Sequence, residues 1–165
     1  MRWALVGAST IASQHMIRAI RSQEGSEVAR IVSGSRDRAE AYAREHGIPA
    51  YGTDLNEALA DPAVDAVYIS TTNEKHLLQA LTAIAAGKHV LCEKPLAMTV
   101  PDAAAMVRAA DEAGVTFATN HHLRCSGSHR AVRALIREGR VGKVLSVRVF
   151  HAVHLPENLQ GWRIN

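Results

Sequence analysis

Short apolar runs alternate along this chain with stretches in which apolar residues recur every three or four positions. Trp3-Ala4-Leu5-Val6 suits one buried strand, and Gly7-Ala8-Ser9-Thr10 turns it into a helical stretch with Ile11, Ile17 and Ile20 on its inner side. A second strand is predicted over residues 28–32, then a helix from Arg36 to His46, closed by Gly47 as its C-cap with Pro49 beyond. Thr53 is expected to cap a short helix over residues 54–60, Asp61-Pro62 breaks it, and Ala66-Val67-Tyr68-Ile69 forms a further buried strand. Ser70-Thr71-Thr72-Asn73 leads into a helix with Leu77, Leu81 and Ile84 at helical spacing, stopped by Gly87. Val90-Leu91-Cys92 is the next strand. Thr99 and Asp102 form a capping box, Val107 and Ala110 face inward, Gly114 ends that helix, and residues 115–119 make another strand. Parallel strands need helical crossovers, so this alternation predicts a doubly wound parallel-sheet Rossmann domain over residues 1–120.

After Asn120 the pattern changes. His121 to Ser128 is polar, Val132, Leu135 and Ile136 mark a helix ended by Gly139, and residues 144–153 read as a long strand. One helix and one strand cannot bury their apolar faces, so residues 121–165 read as the incomplete beginning of a second domain. Leu145, Val147 and Val149 would otherwise form an exposed edge.

At 165 residues, 47% apolar and 21% charged, the composition is that of an ordinary globular protein with a sizeable core. No apolar run is long enough for a membrane span, and Met1-Arg2 leads straight into the first strand without a signal-peptide layout, so a cytoplasmic protein is expected. The net charge of +3 comes from scattered Lys and Arg, which argues against a nucleic-acid partner and leaves room for an anionic small molecule.

Gly7-Ala8-Ser9-Thr10-Ile11-Ala12 stands where a dinucleotide fingerprint would, keeping only its first glycine. Its context is the stronger signal: backbone amides that open a helix after the first strand can receive a pyrophosphate. NAD sites usually place an acid at the end of the second strand to bond the ribose hydroxyls. Here the sequence is Ser33-Gly34-Ser35-Arg36-Asp37-Arg38, which offers a hydroxyl and two arginines to a 2′-phosphate and points to NADPH. A charge-assisted bond of about 1.5–3 kcal/mol would favour NADPH by roughly tenfold to a hundredfold.

Gly87-Lys88-His89-Val90-Leu91-Cys92-Glu93-Lys94-Pro95 runs off a buried strand into an acid, a lysine and a proline. Ligands of parallel sheets bind beyond the carboxyl ends of the strands, so Lys94 is expected to project into a cleft and hold a carbonyl or hydroxyl oxygen. Metal binding is not expected: adjacent His121-His122 point apart, and His151 and His154 would face opposite sides of a strand. Cys92 and Cys125 read as free thiols, Cys92 as packing rather than as a nucleophile, and Tyr68 as a core aromatic.

With these segments, Thr71-Thr72-Asn73-Glu74-Lys75-His76, Asn120-His121-His122-Leu123-Arg124 and Leu159-Gln160-Gly161-Trp162-Arg163 in view, the chain resembles the Gfo/Idh/MocA oxidoreductases over its whole length. The resemblance implies a second α/β domain with a predominantly antiparallel sheet. It also implies an NADPH-dependent reduction of a cyclic sugar ketone, most specifically 1,5-anhydro-D-fructose to 1,5-anhydro-D-mannitol, with Lys94 as the catalytic residue polarising the carbonyl. By the same resemblance Gly7, Ser9, Thr10, Ile11 and Ala12 hold the pyrophosphate, and Ser33, Gly34 and Arg38 the adenosine ribose phosphate. Thr71, Thr72, Asn73, Glu74, Lys75 and His76 run along the cofactor, while Glu93, Lys94, Asn120, Gly161 and Trp162 surround the nicotinamide. In the family a histidine about four residues after an aspartate in the second domain resembles the proton donor, and this chain stops before that segment. The 165-residue species is therefore expected to bind cofactor and to catalyse weakly or not at all. The resemblance leaves open whether the whole protein is a monomer or a homo-oligomer through its C-terminal sheet. The alternatives are another sugar or inositol dehydrogenase, or a nucleotide-binding module without catalysis.

Overall fold

A computed structural model describes residues 1–150, 152 and 154. The chain divides into two compact units, Met1–His121 and a second that begins at His122. In the first, six parallel strands stand in the order β3-β2-β1-β4-β5-β6, with β1 Arg2–Val6, β2 Glu27–Val32, β3 Ala50–Gly52, β4 Ala66–Ile69, β5 His89–Cys92 and β6 Phe117–Thr119. The order reverses between β1 and β4, which opens a crevice at their carboxyl ends. Every residue of β4 is fully buried, as a strand covered on both faces requires. One core layer gathers Val6, Val67, Ile69, Ile84 and Met106; the other gathers Leu5, Ile17, Ile31, Tyr42 and Tyr68.

The helices are α1 Ile17–Arg21, α2 Arg36–His46, α3 Leu55–Ala60, α4 His76–Ala85 and α5 Val100–Ala113. A π-helical turn, Ala12–Met16, precedes α1. The structure corrects the sequence reading at several of these elements. Ile11 is exposed instead of inward: it occupies the N-cap of the π-helical turn that separates it from Ile17, whose wider winding breaks the spacing expected of an α-helix. Asp54, not Thr53, caps α3, its Oδ1 accepting from the amides of Asn56 (2.8 Å) and Glu57 (3.5 Å). Met106, not Val107, is buried with Ala110, because positions four apart share the inner face of α5. Thr99 caps α5 as expected, with the Asp102 amide donating to Thr99 Oγ1 at 3.3 Å, while the Asp102 carboxylate accepts from the Thr99 hydroxyl at 2.7 Å. The last strand starts at Phe117 because the Val115 amide is still tied to the Ala110 carbonyl at the end of α5 (3.1 Å). Strand β3, unforeseen, pairs Ala50, Tyr51 and Gly52 with Arg30, Ile31 and Val32.

The second unit contains a 3₁₀ turn, His122–Cys125, and helix α6, Gly127–Arg137, capped by Ser126. The antiparallel sheet is not seen among the described residues, and residues 144–150 form no strand. Leu145, Val147, Val149 and Phe150 are instead exposed, since an extended segment with no neighbouring ladder gains no hydrogen bonds from alternation. Gly161 and Trp162 lie outside the described residues, as do His151 and Val153 of the expected strand.

Candidate functional site

The carboxyl ends of β1, β2 and β4 surround a cavity of 270 Å³. The turn after β1 contributes Gly7, Ala8 and Ser9, the end of β2 contributes Ser33, Gly34, Ser35 and Arg38, and the segment after β4 contributes Ser70, Thr71, Thr72 and Lys75. No carboxylate stands among these residues. Gly7 has φ +105°, donates to the Val32 carbonyl at 2.8 Å, and packs so closely that a Cβ would meet Thr71 Cγ2 at 3.0 Å and the Ser70 carbonyl at 3.1 Å. Only glycine fits this approach of the β1 turn to the end of β4.

The turn is held from two sides. Ser9 Oγ donates to Ser70 Oγ at 2.7 Å and accepts from the Ala12 amide at 3.1 Å. From α2, the Tyr42 hydroxyl donates to the Ser9 carbonyl (3.0 Å), and Arg38 Nη2 donates to the Ala8 carbonyl (2.6 Å). Burial, and then the neighbouring Glu45, push the Tyr42 phenol up to about 12, so it stays a donor. Arg38 thus reaches the cavity already tethered, whereas Arg36 places its guanidinium 5.7 Å above the Tyr51 ring and is absent from the lining. Asp37, in the first turn of α2, is absent from it as well. Thr10 and Ile11 lie exposed at the outer end of the turn, while Ala12 is buried.

Along the segment after β4, Thr71 Oγ1 donates to Gln79 Oε1 at 2.6 Å. Thr72 Oγ1 donates to the Glu74 carboxylate and holds that carboxyl below its ordinary range. Asn73, Glu74 and Lys75 form a 3₁₀ turn that runs into α4. Lys75, within the Thr71 to His76 segment expected along the cofactor, lines the cavity with Thr71 and Thr72. His76 is fully buried, with Nδ1 2.9 Å from the Pro95 carbonyl oxygen and Nε2 3.2 Å from that of Thr71. It therefore spans the segments that follow β4 and β5.

A second group of residues gathers at the end of β5. The Glu93 side chain is buried, and its Oε1 accepts from the Tyr68 hydroxyl and from Asn120 Nδ2, both at 2.6 Å. Its Oε2 accepts from the Lys94 amide at 3.3 Å. Burial, followed by the hydrogen bond to Glu93, pushes the Tyr68 phenol far above its ordinary value. Asn120 is placed by its own amide, which continues the β6 ladder to the Cys92 carbonyl at 2.8 Å. Lys94 is exposed beyond the strand end, outside the lining of the 270 Å³ cavity, and the Lys94–Pro95 peptide is cis. Cys92 is fully buried and burial, then Glu93, raises its thiol to about 12, an inert setting. Among the described residues no three His, Cys, Asp or Glu side chains are grouped as metal ligands, and no helix is long and apolar enough to cross a membrane.

Residues 1–121 match the GFO_IDH_MocA family model, described as an oxidoreductase family with an NAD-binding Rossmann fold. The chain is 59% identical over 163 residues to 1,5-anhydro-D-fructose reductase of Ensifer adhaerens, covering 99% of this chain and 49% of that relative. It is 35% identical over 167 residues to D-xylose 1-dehydrogenase (NADP(+)) 2 of Haloferax volcanii, covering 100% and 50%. Among solved structures, a 3-ketoreductase from Actinomadura kijaniata in complex with NADP and TDP-benzene superposes with a TM-score of 0.78 at 30% identity, covering 84% of this chain and 42% of that one. The chain spans about half the length of the curated relatives it matches.

Proposed function

We propose that this chain, which belongs to the Gfo/Idh/MocA oxidoreductase family, supplies the NADPH site and the carbonyl-polarising lysine for reduction of 1,5-anhydro-D-fructose to 1,5-anhydro-D-mannitol. The observation that carries the reading is the carboxylate-free cavity: Ser33, Gly34, Ser35 and Arg38 line it at the place where an NAD site needs an acid. Its size and lining suit the phosphorylated adenosine end of the cofactor. The 59% identity to an anhydrofructose reductase favours that sugar over the other ketones handled in the family.

Bound NADPH supplies the hydride for the reduction. The chain's own residues hold the cofactor and the substrate oxygen, and the proton that turns the resulting alkoxide into the alcohol would come from the second-domain donor that the family resemblance implies. Arg38 and Ser33 receive the 2′-phosphate, and the turn after β1, in which the Gly7 and Ser9 amides are tied to the Val32 and Gly7 carbonyls, presents the Ala8 amide to the pyrophosphate. Lys94 donates to the substrate oxygen and stabilises the negative charge that grows there as the carbonyl is reduced. Glu93, held by Asn120 and the Lys94 amide, sets the wall against which the nicotinamide end lies.

Titration with NADPH and with NADH, followed by nicotinamide fluorescence, tests the cofactor half. NADPH is expected to bind roughly tenfold to a hundredfold more tightly, and Arg38→Ala to abolish the difference. Equal affinities in the parent, or a preference that survives the substitution, refute the 2′-phosphate reading. Oxidation of NADPH with 1,5-anhydro-D-fructose, assayed on the chain and on a chimera continued by the second half of the Ensifer adhaerens relative, tests the substrate. Reduction of NADP+ or NAD+ with inositols or aldoses, without NADPH oxidation by anhydrofructose, assigns a sibling activity, and cofactor binding without turnover in either direction assigns a binding module.

A further inference from the structure

Tyr68 read from sequence as a core aromatic, and its ring is indeed fully buried. Its hydroxyl, however, does not satisfy itself on a backbone carbonyl. It donates at 2.6 Å to the carboxylate of the residue that precedes Lys94. A buried carboxylate costs several kcal/mol unless it is well hydrogen-bonded, so its donors fix where it can lie. Two side-chain donors, Tyr68 from β4 and Asn120 from the end of β6, converge on Oε1, while Oε2 takes the backbone amide of Lys94. The carboxylate is thus bridged between the sheet core on one side and the peptide of the lysine on the other.

We propose that Tyr68 is a positioning residue, which acts through Glu93 to fix the backbone from which Lys94 reaches the substrate oxygen. The inference rests on the roles given above to Lys94 and NADPH. The raised phenol keeps the hydroxyl protonated, and so a donor, throughout the working pH range. The phosphate end of the cofactor site shares none of these hydrogen bonds: the Gly7–Ser9 turn is held by Ser70, Tyr42 and Arg38. Loss of the Tyr68 hydroxyl should therefore lower turnover and leave cofactor affinity nearly intact.

The test is steady-state NADPH oxidation with the cyclic ketone in the chimera continued by the second half of the Ensifer adhaerens relative, compared as parent, Tyr68→Phe, Glu93→Gln and the double variant, with NADPH affinity measured in parallel. Tyr68→Phe keeps the ring volume and removes only the O–H. It is expected to lower kcat about tenfold with NADPH affinity changed less than about threefold, and to add nothing in the Glu93→Gln background. An unchanged kcat, a parallel loss of NADPH affinity, or an equal loss in the Glu93→Gln background each overturns the proposal. A second measurement needs no altered fold. A Tyr68 hydroxyl proton held on a buried carboxylate gives a downfield resonance in the parent that moves when NADPH binds, and a resonance indifferent to NADPH overturns the role. A parent that neither binds NADPH nor turns over overturns the proposed function itself. A competent parent with a normal Tyr68→Phe overturns only this inference.

Discussion

Gly7→Ala probes the closest backbone approach at the site. The residue stands at φ +105°, where an L side chain costs about 1–2 kcal/mol. The new methyl would also meet Thr71 Cγ2 at 3.0 Å and the Ser70 carbonyl carbon and oxygen at 3.1 Å, against ordinary carbon contacts of about 3.5–4.0 Å. The threonine methyl can rotate away. The Ser70 backbone cannot, because its amide is tied to the Val6 carbonyl at 2.9 Å in the ladder between β1 and β4. Overpacking of this kind costs about 1–3 kcal/mol, for a total of about 2–5 kcal/mol, a large share of the roughly 5–15 kcal/mol that holds a domain. Gly47→Ala is the control, for Gly47 has φ +58° with open space around it and carries the backbone cost alone. Urea unfolding followed by circular dichroism should show Gly7→Ala less stable than Gly47→Ala by about 1–3 kcal/mol, with weaker NADPH binding. Equal losses in the two variants refute the contact argument.

Met106→Ala should cost about 2–5 kcal/mol in the same unfolding assay and Val107→Ala within about 0.5 kcal/mol, which checks the phase of α5. In the native chain a thiol reagent should modify exposed Cys125 promptly and fully buried Cys92 only after denaturation, read by mass spectrometry of the labelled peptides. Stability should fall as the pH rises from about 10 to about 12: there the unfolded chain has released the Tyr42 proton that the folded chain keeps, at a cost of about 2–3 kcal/mol across the window. Tyr42→Phe should make that fall shallower, leaving the share that Tyr68 and Cys92, both raised in the fold, contribute over the same window, measured by urea midpoints at stepped pH.

The sheet was legible where strands are apolar throughout. Ala66 to Ile69 announce a strand covered on both faces, and the glycines after α2 and α5 mark real left-handed ends at φ +58° and +67°. Strand β3 was not legible, because three residues with one aromatic show no period, and only pairing to β2 makes them a strand. Thr53 and Asp54 are both capping residues, and the choice fell to the one whose extended backbone lets its carboxylate reach two amides. At the site, the strand ends drew attention to Gly7, Ser9, Ser33 and Arg38 and the family resemblance to Thr71 and Thr72, all of which line the cavity. The hydroxyls of Tyr42 and Tyr68 escaped notice for a different reason. Pattern tells which side chain is buried, but the partner of its polar end depends on which strands the topology makes neighbours.

That neighbourhood separates two tasks on either side of β4. Toward β1, Ser70 and the Gly7–Ser9 turn share hydrogen bonds with Arg38 and Tyr42; toward β5 and β6, Tyr68, Glu93 and Asn120 share theirs with the Lys94 backbone. Residues without common partners generally contribute independent free energies, within about 0.3–0.5 kcal/mol. Arg38→Ala should therefore change the choice between NADPH and NADH at unaltered Lys94 function, and Lys94→Met should suppress turnover at unaltered cofactor choice. In the double variant the two effects on kcat/KM should multiply to within about twofold. A product that departs by tenfold would mean that the two groups are coupled across β4, most directly through His76, which reaches the Thr71 carbonyl on one segment and the Pro95 carbonyl on the other.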